Sequence, residues 1–580
     1  MAKHNKLQGG IPISTSLAST LASEHIFPHI KPDKKRTITI ALLAIGIGAC
    51  VSCIARLLIY LIDLVTNLAF YGHFSIAPAS PATHHLGLLV IIVPVVGGFI
   101  VGLMALYGSK AIRGHGIPEA MEQILVNQSK IKPAITYLKP VSSAIAIGTG
   151  GPFGAEGPII ATGGALGSTI GQILKITHNE RKILLAAGAT AGMSAIFGSP
   201  VAAIFLAIEL LLFEFSPRSI IPVSLACITG AAGHHFLFEP GPVFFIAHVI
   251  SMPSNEALFA YSIMGICLGV LSVLITKAVY FIEDMFEKLP IHWMWWPAIG
   301  GLAVGIIGYF APRTLGVGYE NITDVLSGSL PIRFVLTLCL LKFLSWAIAL
   351  GSGTSGGTLA PLLTIGGATG ALLGTAAQLL FPQAGISLSL AALVGMSAIF
   401  AGASRALLTS IIFAVETTAQ SNALLPLLAA CCASYFVSFF LMENTIMTEK
   451  IARRGVKTPH SYEPDMLDRI LVSQVTQTRD RHPLIGTLLQ PDQISIPGNH
   501  SLGQAAALMA QENVDVLPVV GTSNSRQITG LLSYKDILAV YNRQMDDHVK
   551  KHPVVSLKRR SLKVFIHGKK LMEIKKSKQS

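Results

Sequence analysis

The stretch "GTGGPFGAEGPIIATGGALG" at residues 148–167 sets a lone carboxylate, Glu156, in an apolar, glycine-rich run. A second stretch, "GSGTSGGTLAPLLTIGGATG" at 351–370, lies 203 positions further on. At that shift Gly148, Gly150, Gly154, Pro158, Gly163, Gly164, Ala165 and Gly167 meet identical residues. Without a gap, "GMSAIF" at 192–197 then meets "GMSAIF" at 395–400. Glu156 meets Leu359, so one copy carries a charge and the other does not.

Of the 580 residues, 51% are hydrophobic and 13% charged, against roughly 25% charged in soluble domains. Apolar runs long enough to cross a hydrocarbon core recur from about residue 37 to 442. The chain therefore reads as a polytopic α-helical membrane protein, with a polar N-terminal segment (1–36), a membrane domain (37–455) and a soluble region after it. The membrane domain divides into two repeats, approximately 37–240 and 255–455. The cationic "KPDKKR" before the first apolar run predicts a cytoplasmic start under the positive-inside rule. A repeat of this size predicts a transporter-type fold with its site at the repeat interface near mid-bilayer. The Gly- and Pro-interrupted segments 155–177 and 386–400 are expected to be broken helices, which persist at membrane depth only beside protein or a wet cavity.

Pro158 and Pro361 suit a first helical turn, and the glycines before them let other groups approach the backbone. A helix starting there offers unpaired N–H groups and the positive end of its dipole to an anion. Two such starts, one per repeat, hold a dehydrated anion with partial charges and so permit its release. "RGHGIPEAM" at 113–121 adds a third Gly-Pro break. Gly154, Gly157 and Gly357 are assigned to the site, whereas Gly163, Gly164, Gly167 and Gly171 are expected to serve close helix packing. A carboxylate inside a bilayer is expensive, and beside an anion-binding helix start it competes for the anion's place. Glu156 therefore reads as a gate.

These residues resemble the CLC family of chloride channels and chloride/proton antiporters over about residues 40–455. The motifs are "GHGIPE" (114–119), "GAEGP" (154–158), "GTLAP" (357–361) and "NTIMTEKIARRG" (444–455). The resemblance implies an all-α inverted-repeat fold of tilted and broken helices, a homodimer in a lipid bilayer, and one chloride pathway per subunit. It places His115, Gly116, Ile117, Gly154, Gly157, Thr358, Leu359 and Met447 around the anion. Three of these depart from the family: His115 stands at a serine position, Leu359 at a phenylalanine and Met447 at the pore tyrosine. Ala155 replaces the Lys or Arg before the gate. The family's internal proton glutamate aligns with Leu210, which favours channel-like conduction. The alternative is chloride/proton exchange using Glu156 with Glu209 or Glu214. Glu416, the repeat counterpart of Glu209, argues for a packing role of both.

Residues 456–545 contain a β-α-β-β-α texture that resembles a CBS motif, with 464–490 as a degenerate partner. Ser533 and Asp536 have the spacing with which such modules touch an adenosine ribose, a spacing shared with an ordinary helix N-cap. An adenine-nucleotide-sensing regulatory role is the alternative from another class. Residues 546–580 form a basic tail, expected to lie near anionic lipid or stay solvated rather than bind nucleic acid. The seven cysteines sit in apolar runs and are expected to be buried packing residues. Neither a metal-binding spacing nor a nucleophile–base pair accompanies the membrane carboxylates, so an enzyme is not expected, and no cofactor beyond the possible nucleotide. The chain is placed in a bacterial inner membrane with both termini cytoplasmic.

Overall fold

The computed structural model describes residues 34–459 except 175, 240, 247 and 248, together with 467, 470–476, 494–520 and 528–540. The basic tail, most of 464–490 and most of the polar N-terminus lie outside the described residues. Two units separate, one spanning 33–462 and the other containing 463–580.

The larger unit is helical. Its first half runs α1 (Lys34–Thr66), α2 (Ile92–Tyr107), α3 (Ile117–Val126), α4 (Ile135–Gly148), α5 (Glu156–Ile173), α6 (His178–Phe197), α7 (Pro200–Leu206) and α8 (Pro217–Leu237). The second half repeats the series as α9 (Asn255–Glu287), α10 (Trp296–Phe310), α11 (Tyr319–Ser327), α12 (Ile332–Gly351), α13 (Leu359–Leu380), α14 (Leu388–Ser404), α15 (Leu407–Thr418) and α16 (Leu424–Leu441). A short α17 (Glu449–Arg453) follows. Among the described residues, 8 helical segments are long and apolar enough to cross a membrane.

The two halves meet through contacts that are the same when read from either side. A Cβ on Gly98 of α2 would strike the Pro297 carbonyl of α10, and a Cβ on Gly301 would strike the Pro94 carbonyl. Gly98 and Gly301, like Pro94 and Pro297, are 203 apart. Reciprocity of this kind requires a two-fold relation between the halves. The inverted-repeat fold expected from the sequence is present.

A second exchange joins α7 and α15. Glu209, in the π-helical turn Ala207–Leu212 that continues α7, accepts the N–H groups of Leu408 and Thr409 at 2.9 and 3.0 Å, and the Thr409 hydroxyl at 2.7 Å. Glu416 of α15 accepts those of Val201 and Ala202 at 3.1 and 2.8 Å. Each helix starts at or next to a proline or alanine with no capping side chain of its own, so its first amides would be orphaned in a non-aqueous interior. Each acid caps the other repeat's helix.

Two expectations need correction. Segments 155–177 and 386–400 contain the continuous helices α5 and α14. Pro158 stands in the first turn of α5, where it breaks nothing, and the glycines face a neighbour: Gly163 lies against the Gly188 carbonyl and Gly167 against that of Leu184, both on α6. The breaks fall between helices, at the loops before α5 and α13. Of the cysteines, Cys227, Cys339 and Cys431 are buried, but Cys50, Cys53, Cys267 and Cys432 are exposed on apolar helices. A thiol is apolar enough to face lipid as readily as a core.

In the smaller unit a three-stranded sheet is ordered β1 (Ile496–Pro497), β2 (Val516–Val520), β3 (Ile528–Ser533), with α18 (Leu502–Glu512) between β1 and β2. β1 runs parallel and β3 antiparallel to β2. Leu502, Ala505, Leu517, Val519 and Leu532 form its core. The β-α-β-β texture is as the sequence predicts.

The exchanged caps make a test. Glu416→Ala strands two amides at the start of α7 and should cost about 2 kcal/mol, since each was bonded to a charged acceptor. The thermal midpoint of the detergent-solubilised protein should fall by about 2 °C. An unshifted midpoint would remove the cap from the account of stability.

Candidate functional site

The loops before α5 and α13 meet at the repeat interface. Gly154 donates to the Gly357 carbonyl at 3.3 Å, and Gly357 to the Gly154 carbonyl at 3.0 Å, as an isolated antiparallel bridge. These glycines are themselves 203 apart, so the pseudo-two-fold passes between them. No side chain fits here: a Cβ on Gly157 would meet the His115 carbonyl, and one on Gly357 the Gly154 carbonyl at 2.6 Å.

Glu156 begins α5 and is fully buried. Its Oε1 accepts the Ala360 N–H at 2.7 Å, in the first turn of α13. Its Oε2 lies 3.4 Å from the Tyr319 hydroxyl, which donates to it. The acid of one repeat thus occupies the helix start of the other. Thr358 and Leu359 flank that start and are buried, and Thr358, at the N-cap position, does not cap it with its own side chain. A carboxylate and a chloride want the same thing from this place, N–H donors and the positive dipole end.

Tyr319, the first residue of α11, is the site residue that sequence reasoning missed. Its ring packs edge-on to Phe197 and Phe244, with centroids 5.9 and 5.8 Å away, and Phe197 in turn meets Phe413. A signal for it existed. "GVGY" at 316–319 matches "GHGI" at 114–117 once the shift is 202 instead of 203, one residue off the register that the longer stretches define. Two lone lysines in apolar helices, Lys139 and Lys342, are 203 apart and were equally legible. Both are buried, and each clamps the loop before a short helix. Lys139 donates to the carbonyls of Ile112 and Gly114, both at 2.8 Å. Lys342 donates to those of Thr314 and Gly316 at 3.0 and 2.9 Å. Gly116 and Gly318, the N-cap positions of α3 and α11, both take positive φ, 96° and 75°.

The remaining assigned residues separate. His115 is buried beside Gly157, with no hydrogen-bond partner for its Nδ1 among the described residues. The Gly116 amide is not free for an anion: it donates to Glu119 Oε2 at 2.7 Å, and Glu119 pairs with Lys450 at 2.9 Å. Gly154 likewise spends its amide on Gly357. Ile117 and Met447 are buried, and Met447 donates its amide to the Thr445 hydroxyl at 3.2 Å. A hydroxyl reaches this region from α9 instead, where Tyr280 donates to the Ile446 carbonyl at 2.8 Å. Leu210 is buried, Glu209 is engaged as a cap, and Glu214 pairs with Lys182 at 3.4 Å. In the smaller unit, Asp536 accepts from the Ser533 amide and hydroxyl at 3.0 and 2.7 Å, the pattern of a helix N-cap.

Two cavities lie beside residues that border the seated carboxylate. One of about 350 Å³ is lined by Arg113, His115, Tyr280, Glu283 and Lys450. Another of about 200 Å³ is lined by Asp63, Gly318, Tyr319 and Glu320.

A family model described as "Voltage gated chloride channel" matches residues 97–439, and one described as "CBS domain" matches 485–543. An H(+)/Cl(-) exchange transporter ClcA of Yersinia pseudotuberculosis serotype IB (strain PB1/+) is 29% identical over 378 residues, 63% of this chain and 78% of that protein. The structure of a slow cyanobacterial Cl-/H+ antiporter superposes with a TM-score of 0.64 at 23% identity, covering 72% of this chain and 97% of that one. A CLC-type fluoride/proton antiporter superposes with a TM-score of 0.57 at 20% identity, covering 70% and 97%. The chain belongs to the voltage gated chloride channel family, carries a CBS domain, and is an integral, multi-pass membrane protein.

Tyr319→Phe keeps the ring in its aromatic pocket and removes one donor from the seated carboxylate. With about 1 kcal/mol less holding it, the acid should leave its seat up to roughly fivefold more often. Anion efflux from liposomes should rise accordingly. Efflux equal to that of the unmodified protein would exclude Tyr319 from the gate.

Proposed function

We propose that this protein exchanges chloride for protons, with Glu156 as the single moving gate. Chloride transport follows from its family. Coupling to protons is supported by the exchange transporters among its relatives, which weigh more than the expectation of conduction drawn from Leu210. The observation that carries the gate is the 2.7 Å bond from the Ala360 N–H to the Glu156 carboxylate.

The cycle follows from that bond. Ionised, Glu156 satisfies the α13 helix start and closes the route between the two cavities. A proton on the carboxylate removes the charge that the helix start favours, and a chloride arriving at the amides of Leu359 and Ala360 takes its place. The neutral side chain then carries its proton away from the seat. Deprotonation returns the acid and expels the halide. No full positive charge is needed, which keeps the anion exchangeable. His115, buried beside Gly157 with an unpartnered ring nitrogen, supplies a further donor to the anion.

The resemblance also supports a pair of such chains in a bacterial inner membrane, each with its own pathway, and a regulatory role for the CBS domain. A second reading, conduction without protons, is favoured by the apolar Leu210 and by the engagement of Glu209 and Glu214 in other bonds.

Reconstitution into liposomes separates the two. A chloride gradient should drive protons uphill, and fast chloride flux without proton movement would overturn exchange. Glu156→Gln, permanently uncharged, should keep or raise anion flux, abolish its pH dependence and stop proton transport. Abolished anion flux in a folded variant would count against the gate.

A further inference from the structure

An exchanger needs a group that takes up protons on the side of the membrane opposite the gate's own exit, and the family's position for it is apolar here. Leu210 is buried and carries no proton. Its acidic neighbours are committed: both oxygens of Glu209 cap α15, and Glu214 pairs with Lys182.

The cavity of about 350 Å³ beside His115 holds a different acid. Glu283, near the end of α9, is half-buried in its wall and makes no hydrogen bond or ion pair among the described residues. Cations surround it without closing on it. Arg113 lies over the rings of Trp293 and Trp296, at 5.1 and 5.4 Å, and turns its Nε to the Gly353 carbonyl. Lys450 is paired with Glu119, and Arg453 with Asp284 and Glu449. Glu287 faces the same space from α9.

His115 lies in the same wall, more than nine-tenths buried, with Nδ1 unpartnered. A buried imidazole nitrogen without a partner is costly unless something transient serves it. The His115 carbonyl rests on Gly157, the residue after the gate, so the loop that borders the cavity also borders the start of α5. A volume of that size holds several waters, at roughly 30 Å³ each, enough to bridge acid and imidazole.

We propose that Glu283 and His115 form a proton relay that serves Glu156 from this cavity, in place of the acid absent at position 210. This inference rests on the exchange reading. Glu283 binds a proton from the solution and passes it through cavity water to one ring nitrogen of His115. The other ring nitrogen gives its proton to the Glu156 carboxylate, which, once neutral, leaves the α13 amides. One proton moves and no charge is left behind; a flip of the ring then turns its bare nitrogen back to the cavity and its protonated nitrogen to the gate. The Lys and Arg residues around the cavity place it on the cytoplasmic side under the positive-inside rule.

The test uses the full chain in liposomes, with chloride and proton fluxes measured together. Loss of an acid–base group should lower the proton-to-chloride ratio by about tenfold or more in Glu283→Gln and in His115→Ser. Glu283→Asp, which keeps the acid, should recover most of the ratio and guards against a folding defect. A ratio that survives both Glu283→Gln and His115→Ser overturns the relay while exchange stands. So does a His115→Ser variant that alters chloride flux alone, since that is the mark of a residue that only touches the anion. An unmodified protein that moves no protons overturns exchange and the relay together.

Discussion

Everything in the membrane domain converges on one bond, the Ala360 N–H donated to Glu156. A carboxylate in a bilayer interior is tolerated only where donors replace its water. Here the donors belong to the first turn of α13, which would otherwise be an unsatisfied helix end in the protein's centre. Each group relieves the other's cost, so the closed state is stable. A chloride relieves the helix end equally well. That equivalence is what the proposed gate uses.

The bond exists because the two loops come closer than side chains permit. Gly154 and Gly357 pair across the pseudo-two-fold, and Gly157 presses against the His115 carbonyl. The buried Lys139 and Lys342 then fix the flanking loops by their carbonyls, and Glu119 satisfies the Gly116 amide that starts α3. Positive charge is therefore present near the pathway but already bonded. The halide meets amides and not a bare ammonium, which suits passage over capture.

The repeat, the membrane class, the buried acid and both glycine loops were legible because they depend on residue types with no substitute: glycine at close approach, proline in a first turn, one acid in an apolar run. Contacts made across the fold were not. Nothing local in "GVGYENI" says that the Tyr319 hydroxyl meets Glu156, because the two are joined only when the halves fold against each other. Which amides are free was equally hidden. Gly116 and Gly154 look alike as open donors in sequence, and each is already bonded, to Glu119 and Gly357. Broken helices were expected inside 155–177 because Gly and Pro were read as breakers, whereas there they mark a helix start and a packing face.

Several of the places where the repeat fails to match itself fall at the site. Positions that hold the fold agree between halves: Gly98 with Gly301, Lys139 with Lys342, Gly116 with Gly318 at the shift of 202. Several side chains at the site do not. Glu156 stands against Leu359, His115 against Val317, Ile117 against Tyr319 and Glu119 against Asn321. A symmetric scaffold alone would build two equivalent helix starts and no preferred direction. One acid, placed in one half, selects which start is occupied; one phenol, placed in the other, holds it there. The imidazole borders one cavity, and Tyr319 borders a smaller one. Symmetry makes the seat, and its local violation sets different chemistry around it, as the proposed exchange of one ion for another requires.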